Sequence, residues 1–267
     1  MARKLPLSLG EFKSLRVPIS SREEWCIWAA IAKDLAMRLR RGFSVCVQGT
    51  DCFQSYGFGR FRALGRLDCV LQNLDRHEVD ELLIISPYSN PIDKQFTPVA
   101  MNKLADKYVS VPLIQAGYLE HRSVLDLHSE LGFCERFVFT RALYDKDTLW
   151  IDRYMRVFGA QAIIGCLPVH FSESGGPMYF SDGKSRPLTQ ADIDYALTVC
   201  DEVIVQQINR FGMVDDFDTN LFLKLEIAPE RVILNGGVGP QTAKYAASKG
   251  FAAVYFDNSI FHQEGGL

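Results

Sequence analysis

Eight short apolar runs recur along this chain, most of them followed by a stretch with helical spacing. That alternation limits its possible folds more than any other feature. The runs fall at residues 43–47, 81–85, 112–115, 137–139, 162–167, 202–206, 232–234 and 252–256. Helix-like stretches lie between them at about 67–77, 97–107, 121–131, 147–158, 189–199, 218–226 and 240–249. A strand that reads as a continuous apolar run is buried on both faces, as in a parallel sheet covered by helices. Eight such units predict an α/β protein, either an open doubly wound sheet or a closed (β/α)8 barrel. The even spacing favours the barrel, and 267 residues suit one barrel without a second domain.

The barrel is expected over residues 43–267, after an extension over 1–42. Residues 1–20 show no period. Ser21 is placed to cap a helix over about residues 22–40, with Glu23 and Glu24 in its first turn. Trp25, Trp28, Ala29, Ala32, Leu35, Ala36 and Leu39 form one apolar stripe. Arg40 and Arg41 suit the end of this helix, and Gly42 can stop it. The sequence ends at Leu267, too soon after the last apolar run for a long helix there. The N-terminal helix is therefore expected to pack in the vacant position, although the same stripe would serve a dimer interface equally well. Residues 170–188, with Ser172-Glu173-Ser174-Gly175-Gly176, predict a hairpin or lid after the fifth strand.

A formal net charge of -3 argues against a nucleic-acid binder. The densest basic cluster, Arg38, Arg40 and Arg41, reads as a solvated helix end. The seven cysteines are scattered and include no C-x-x-C pair, which fits reduced thiols in a cytoplasmic protein. No secretory signal and no apolar run of roughly 18 residues is visible, so no membrane span is expected. His77, His121 and His128 lie in helical stretches without ligand-like partners. No metal motif is present, and no cofactor is implied.

Several ordered stretches over about residues 43–262 resemble the cyclase subunit of imidazole glycerol phosphate synthase. Val79-Asp80-Glu81-Leu82-Leu83-Ile84-Ile85 resembles that family's second strand and Val111-Pro112-Leu113-Ile114 its third. Phe158-Gly159-Ala160-Gln161-Ala162-Ile163-Ile164 resembles the fifth. Ile208-Asn209-Arg210-Phe211-Gly212-Met213 resembles a segment usually read as Ile-Asp-Arg-Asp-Gly-Thr. Asn235-Gly236-Gly237-Val238-Gly239 resembles the phosphate loop after strand seven, and Asn258-Ser259-Ile260-Phe261-His262 the helix start after strand eight. The resemblance implies a (β/α)8 barrel with a phosphate site at Gly236, Gly237, Asn258 and Ser259. Glycine lets backbone N–H groups approach an anion closely, and a tight strand-to-helix turn would use the same glycines. The family's second phosphate site corresponds to Ala116, Gly117 and Tyr118 with Phe139 and Thr140. There Tyr118 and Phe139 add bulk, leaving Gly117 and Thr140 as contacts.

The same comparison removes the family's chemistry. Its acid–base carboxylates at the ends of strands one and five correspond to Gln48 and Pro168, neither of which exchanges a proton near neutral pH. The acidic position on strand two is Ser86, the aspartates of the strand-six segment are Asn209 and Phe211, and a loop lysine aligns with Gln54. Asp51, Asp93, Asp145, Asp215 and Asp257 fall in candidate top-face loops. His170, just after strand five, is a candidate substitute base or a structurally bonded histidine, and His262 reads as structural.

At the opposite mouth the family carries a ring of charges where ammonia enters from a docked glutaminase. Glu81 and Glu202 match two of its members, with Arg41 or Arg136 as the cationic partner; ordinary stabilising charge at a barrel bottom is the alternative. The resemblance implies a barrel that binds a phosphorylated small molecule. It would work with a glutaminase-like subunit in ammonia delivery, as in surface-sugar amidation, with cyclase turnover lost. An active cyclase-type enzyme with a remodelled site and a non-catalytic regulatory barrel are the alternatives.

Overall fold

A computed structural model of the chain describes residues 38–48, 50–56, 60–74, 79–86, 105, 107–117, 119, 134–172 and 174–257. Eight parallel strands close on themselves: β1 (Arg40–Gln48), β4 (Glu81–Ile85), β5 (Leu113–Ala116), β6 (Arg136–Phe139), β7 (Ile163–Phe171), β10 (Glu202–Gln207), β11 (Val232–Asn235) and β12 (Ala253–Phe256). Each pairs in register with the next, and β12 returns to β1 through Arg40↔Ala253 and Phe43↔Phe256. The fold is an α/β (β/α)8 barrel.

Side chains alternate strictly across the barrel wall. Leu83, Ile114, Val138, Ile164, Ile204 and Ile233 point inward and fill the barrel with a small apolar cluster. Their neighbours Leu82, Leu113, Phe137, Ile163, Val203 and Val232 point outward into the larger core between strands and helices. There Tyr154 of α3 (Thr148–Phe158) packs edge-on against Phe137 and Phe139, at centroid distances of 5.1 and 5.0 Å. The helix ends follow local chemistry. Asp147 caps α3 by accepting from the Leu149 amide at 3.0 Å. In α4 (Gln190–Val199), Asp192 accepts from the Thr189 amide and hydroxyl at 3.0 and 2.8 Å. Pro240 starts α6 (Pro240–Lys249), and Gly250, left-handed at φ 76°, ends it.

Several sequence expectations shift. β1 begins at Arg40, inside the expected extension, so Arg40, Arg41 and Gly42 are strand residues and not the close of a helix. They pair with β12 through Arg40↔Ala253, Arg41↔Val254 and Gly42↔Tyr255, and glycine suits residue 42 because a Cβ there would lie 2.2 Å from Cδ1 of the buried Tyr255 ring. The expected helix up to residue 37 lies outside the described residues, as do the 121–131 stretch and most of 97–107. The expected 218–226 helix shrinks to α5 (Leu221–Lys224), and α1 spans Leu67–Leu74.

Two antiparallel hairpins extend the barrel wall. One, β2 (Asp51–Tyr56) with β3 (Arg60–Arg66), was not expected; it folds back on the end of β1 through Gln48↔Asp51. The other, β8 (Pro177–Ser181) with β9 (Lys184–Pro187), is the hairpin expected after the fifth barrel strand. Its Asp182-Gly183 tip has φ 47° and 75°, matching the twist of a tight hairpin.

Candidate functional site

The N-terminal mouth is closed by charge. Inward-facing first residues of four strands supply it: Arg40 on β1, Glu81 on β4, Arg136 on β6 and Glu202 on β10. Nη2 of Arg40 donates to both Glu202 oxygens at 2.7 Å, and its Nε faces Glu81 Oε1 at 3.4 Å. Arg136 donates to Glu202 and, at 3.3 Å, to Asp201. The expected cation, Arg41 or Arg136, resolves to Arg136, joined by Arg40. Arg41 sits one residue out of phase on the outer face, where its backbone amide donates to Asp80 at 2.7 Å.

Burial gives this ring its electrostatic character. Glu202 would rise in pKa through burial, but Arg136 and Arg40 outweigh this and hold it below the ordinary carboxylate value. Glu81 is more deeply buried, and burial outweighs Arg40 and Arg136, so its pKa is raised. Burial opposes the charge on Arg40, yet Glu81 and Glu202 keep its pKa above the usual guanidinium value. Tyr255 lies directly inside the ring, wholly buried. Among the described residues its hydroxyl, Arg40 Nε and Glu81 Oε1 have no well-aligned hydrogen-bond partner, though the Tyr255 hydroxyl lies near enough to Glu81 to favour its charged form. Because Glu202 binds both arginines, it holds the ring together, whereas Glu81 is loosely tied.

The C-terminal mouth is built differently. Inward positions there carry neutral groups joined in a chain. Cys166 Sγ donates to Gln206 Oε1 (3.8 Å), Gln206 Nε2 to Asn235 Oδ1 (2.9 Å), and Asn235 Nδ2 to Ser44 Oγ (3.1 Å). Gln48 ends β1 exposed, and Pro168 is buried in β7 opposite Gln206. His170 lies past the barrel rim, its Nε2 2.8 Å from Ser185 Oγ on β9. That contact joins it to the hairpin, the structural alternative for this residue. Ser86 does not face the lumen: Gln115, on the outer face between Ile114 and Ala116, donates to its hydroxyl at 3.2 Å.

The phosphate candidates separate. Gly117 (φ 79°) and Gly236 (φ 86°) occupy equivalent places, each where a Cβ would strike a carbonyl at the C-terminal end of the preceding barrel strand: Ser86 O at 2.2 Å and Gln207 O at 2.3 Å. Gly237 (φ 78°) packs under the β10 loop, its carbonyl accepting from the Asp216 and Phe217 amides at 2.9 and 3.0 Å. Close backbone packing thus accounts for these glycines with or without an anion. Thr140 follows β6 half-buried against Cys166. Phe139 does not obstruct this end of the barrel: it faces outward onto Tyr154. Asn258, Ser259, Tyr118, His262, His77, His121, His128 and Asp93 lie outside the described residues.

The top-face aspartates serve structure. Asp215 accepts from the Gln241 and Thr242 amides at 2.8 and 2.9 Å and so caps α6. Asp257 accepts from the Gly212 amide at 2.9 Å, and Asp145 pairs with Arg141 at 3.3 Å. Phe211 is buried over the barrel end, where with Gln54, Ser44, Cys46, Ile85 and Asp257 it lines a small cavity beneath the β2–β3 hairpin. Burial pushes the thiols of Cys46, Cys52, Cys166 and Cys200 up to about 12, so none is a ready nucleophile. Among the described residues no His, Cys, Asp and Glu cluster could hold a metal ion, and no helix is long and apolar enough to cross a membrane.

Sequence reasoning missed Arg40, Tyr255, Gln206 and Asn235. The period-2 alternation carried the signal: once Glu81 and Glu202 face inward, so do Arg40 and Gln206. No protein-family model matches the chain, and no curated protein matches it.

Proposed function

We propose that this barrel receives ammonia from a glutaminase-like partner docked at its N-terminal mouth and does not itself perform cyclase chemistry. The ring of Arg40, Glu81, Arg136 and Glu202 carries this reading. Two buried carboxylates with two half-buried arginines at a barrel mouth are costly unless mutually paired, and hydrophobic substitutes would stabilise a mere plug as well or better. A ring with one tight carboxylate and one loose one can shift to admit a small polar molecule. The resemblance to the cyclase subunit of imidazole glycerol phosphate synthase points the same way, since that family meets its glutaminase there.

The C-terminal mouth supports the loss of turnover. Gln48 and Pro168 stand where acid–base carboxylates would be needed, and the nearby aspartates are engaged in capping and loop contacts. A phosphorylated ligand at Gly236 and Gly237, with Asn258 and Ser259, rests on the family resemblance, since backbone packing already accounts for both glycines. A third enzyme would then carry out the amidation, as in surface-sugar pathways. The test is a low-salt pull-down from the native host, scored for a glutamine amidotransferase, using wild type and the double variant Glu81→Lys, Glu202→Lys. Capture by wild type and loss in the folded double variant is expected; failure of wild type to capture any glutaminase overturns the reading.

A further inference from the structure

The outer layer of the barrel is thin between β10 and β11. Such a barrel covers neighbouring strands with a helix, but α5 has only four residues, Leu221–Lys224. Its end has a local cause. Gln190 of α4 accepts from the Glu226 amide at 2.9 Å and donates to the Glu226 carbonyl at 2.7 Å, and Leu225 turns extended, at φ -132°, to meet that clasp. The missing turns leave an open groove of ≈ 500 Å³, lined by Phe222, Leu223, Leu225, Glu226, Ile227 and Phe251. The rings of Phe222 and Phe251 meet in it, centres 4.9 Å apart.

Leu223 is 82% exposed, more than any other large apolar side chain among the described residues. By contrast Phe43, Val254 and Phe256, which face the outer core along the β12–β1 seam, are wholly buried. The sequence alone assigns the N-terminal stripe to that seam. The uncovered apolar surface, which costs roughly 25 cal/mol per Å² when left wet, lies in the groove instead.

We propose that the segment over residues 22–37 seats its apolar stripe in this groove. That segment joins the barrel at the groove's wall: the Arg40 amide donates to the Ala252 carbonyl at 3.2 Å, and Ala252 follows Phe251. Leu39 packs on the outer core there. At about 1.5 Å per residue, a helix carries the stripe roughly 21 Å back from Leu39 to Trp25, which brings Trp28 and Trp25 within reach of Leu223. Charge fits as well. Glu226 is the one charged residue in the described lining, and Arg22 and Lys33, three helical turns apart, share one margin of the stripe. Size argues against a second copy. A stable interface takes roughly 20 residues a side, and the groove offers six, whereas a tethered segment is held at high effective concentration and needs less area. Ile227 precedes β11 and Phe251 precedes β12, so the groove lies at the same end of the barrel as the charged ring. A partner arriving at that mouth meets residues 22–37 along one side. The inference stands without the ammonia-delivery reading.

The test reads tryptophan emission from the full-length protein carrying Trp150→Phe, which leaves Trp25 and Trp28 as its tryptophans. Leu223→Glu is then added, with circular dichroism to check the fold and light scattering to check the mass. Blue-shifted emission that moves to the red with Leu223→Glu, in a monomeric protein, is expected, together with faster trypsin cleavage after Arg22 and Lys33. Emission that ignores Leu223→Glu overturns the proposal. So does a parent dimer that Leu223→Glu dissociates, since the groove then holds a second copy. Should Leu223→Glu fold poorly, Glu226→Lys replaces it with the same expectation, because Gln190 grips only the backbone of that residue.

Discussion

The two mouths of this barrel are built on opposite electrostatic plans. The N-terminal mouth concentrates full charges in a ring around two buried carboxylates, while the C-terminal mouth joins amides, a hydroxyl and a thiol in a neutral chain, with Asp257 bound to the Gly212 amide beside it. Both lie at the ends of the same strands, separated by one apolar layer. In a barrel, catalytic groups gather at the C-terminal end and stability at the N-terminal end. Here a neutral chain lies at the end that normally performs chemistry, and the end that normally only stabilises holds the perturbed carboxylates. Strand geometry therefore does not dictate which end is electrostatically active; the choice of inward residues does.

The sharpest way to break this contrast is Glu202→Ala. The change removes the carboxylate shared by Arg40 and Arg136, leaving Arg40 with Glu81 and Arg136 with Asp201, and should cost roughly 3 kcal/mol, the low end for breaking a buried pair, read as a lower midpoint in denaturant unfolding. A loss well below 1 kcal/mol would mean that solvent, not Glu202, satisfies the arginines, and the mouth would then be an ordinary wet rim.

Next in size is Gly236→Ala at the other mouth. Its left-handed backbone and the Gln207 carbonyl 2.3 Å from the new Cβ should together cost about 1–3 kcal/mol. Gly183→Ala, also left-handed but with nothing within 4 Å, isolates the backbone share. If added phosphate stabilises wild type but not Gly236→Ala, the glycine serves an anion as well as packing.

A pH titration sharpens the comparison within the ring. Glu202 is held below its ordinary value of 4.5, so its contribution to stability is present above that pH and is lost as pH falls through its lower folded value. Glu81 is raised, so its proton-linked contribution is present below 4.5 and is lost as pH rises through its higher folded value. On acidification Glu81 should take up its proton before Glu202, in an order that carboxyl carbon NMR can read. The reverse order would show that Arg40 favours Glu81.

The smallest effect is expected from His170→Ala. It removes the contact to Ser185 and the edge contact to the Phe180 ring at a partly exposed site and should cost about 1 kcal/mol. A much larger loss of any activity found for the protein would restore His170 as a base.

The barrel was legible because strands buried on both faces write themselves as unbroken apolar runs, and all eight fall where the runs do. The β8–β9 hairpin was legible from its small residues, and Asp182-Gly183 was a further signal for its tip. The β2–β3 hairpin was not, since its strands mix Arg, Ser and Gln with aromatics and show no clean period. The start of β1 was misread because Arg40, Arg41 and Gly42 have the chemistry of a helix end; only the distant partners Glu81, Glu202 and Tyr255 make them a strand. At the site, the charged mouth could be half read from two glutamates. The neutral chain could not, because Gln206 and Asn235 acquire meaning only when register places them side by side.

The guanidinium of Arg186 has a mechanical consequence. It lies against Tyr144 and Tyr179, 4.8 and 5.0 Å from their ring centres, while gripping Asp192 in a two-pronged bond at 2.7 and 2.9 Å. Asp192 belongs to the first turn of α4, and Gln190, the first residue of that helix, clasps the backbone of Glu226 through both its amide atoms. The β8–β9 hairpin, α4 and the segment before β11 are thereby yoked into one cooperative block. Amide exchange in the hairpin should then slow to the rate of α4, unlike that of an unanchored surface loop. The projection above the barrel rim moves with the wall or not at all, which makes it a buttress and unsuits it to opening and closing.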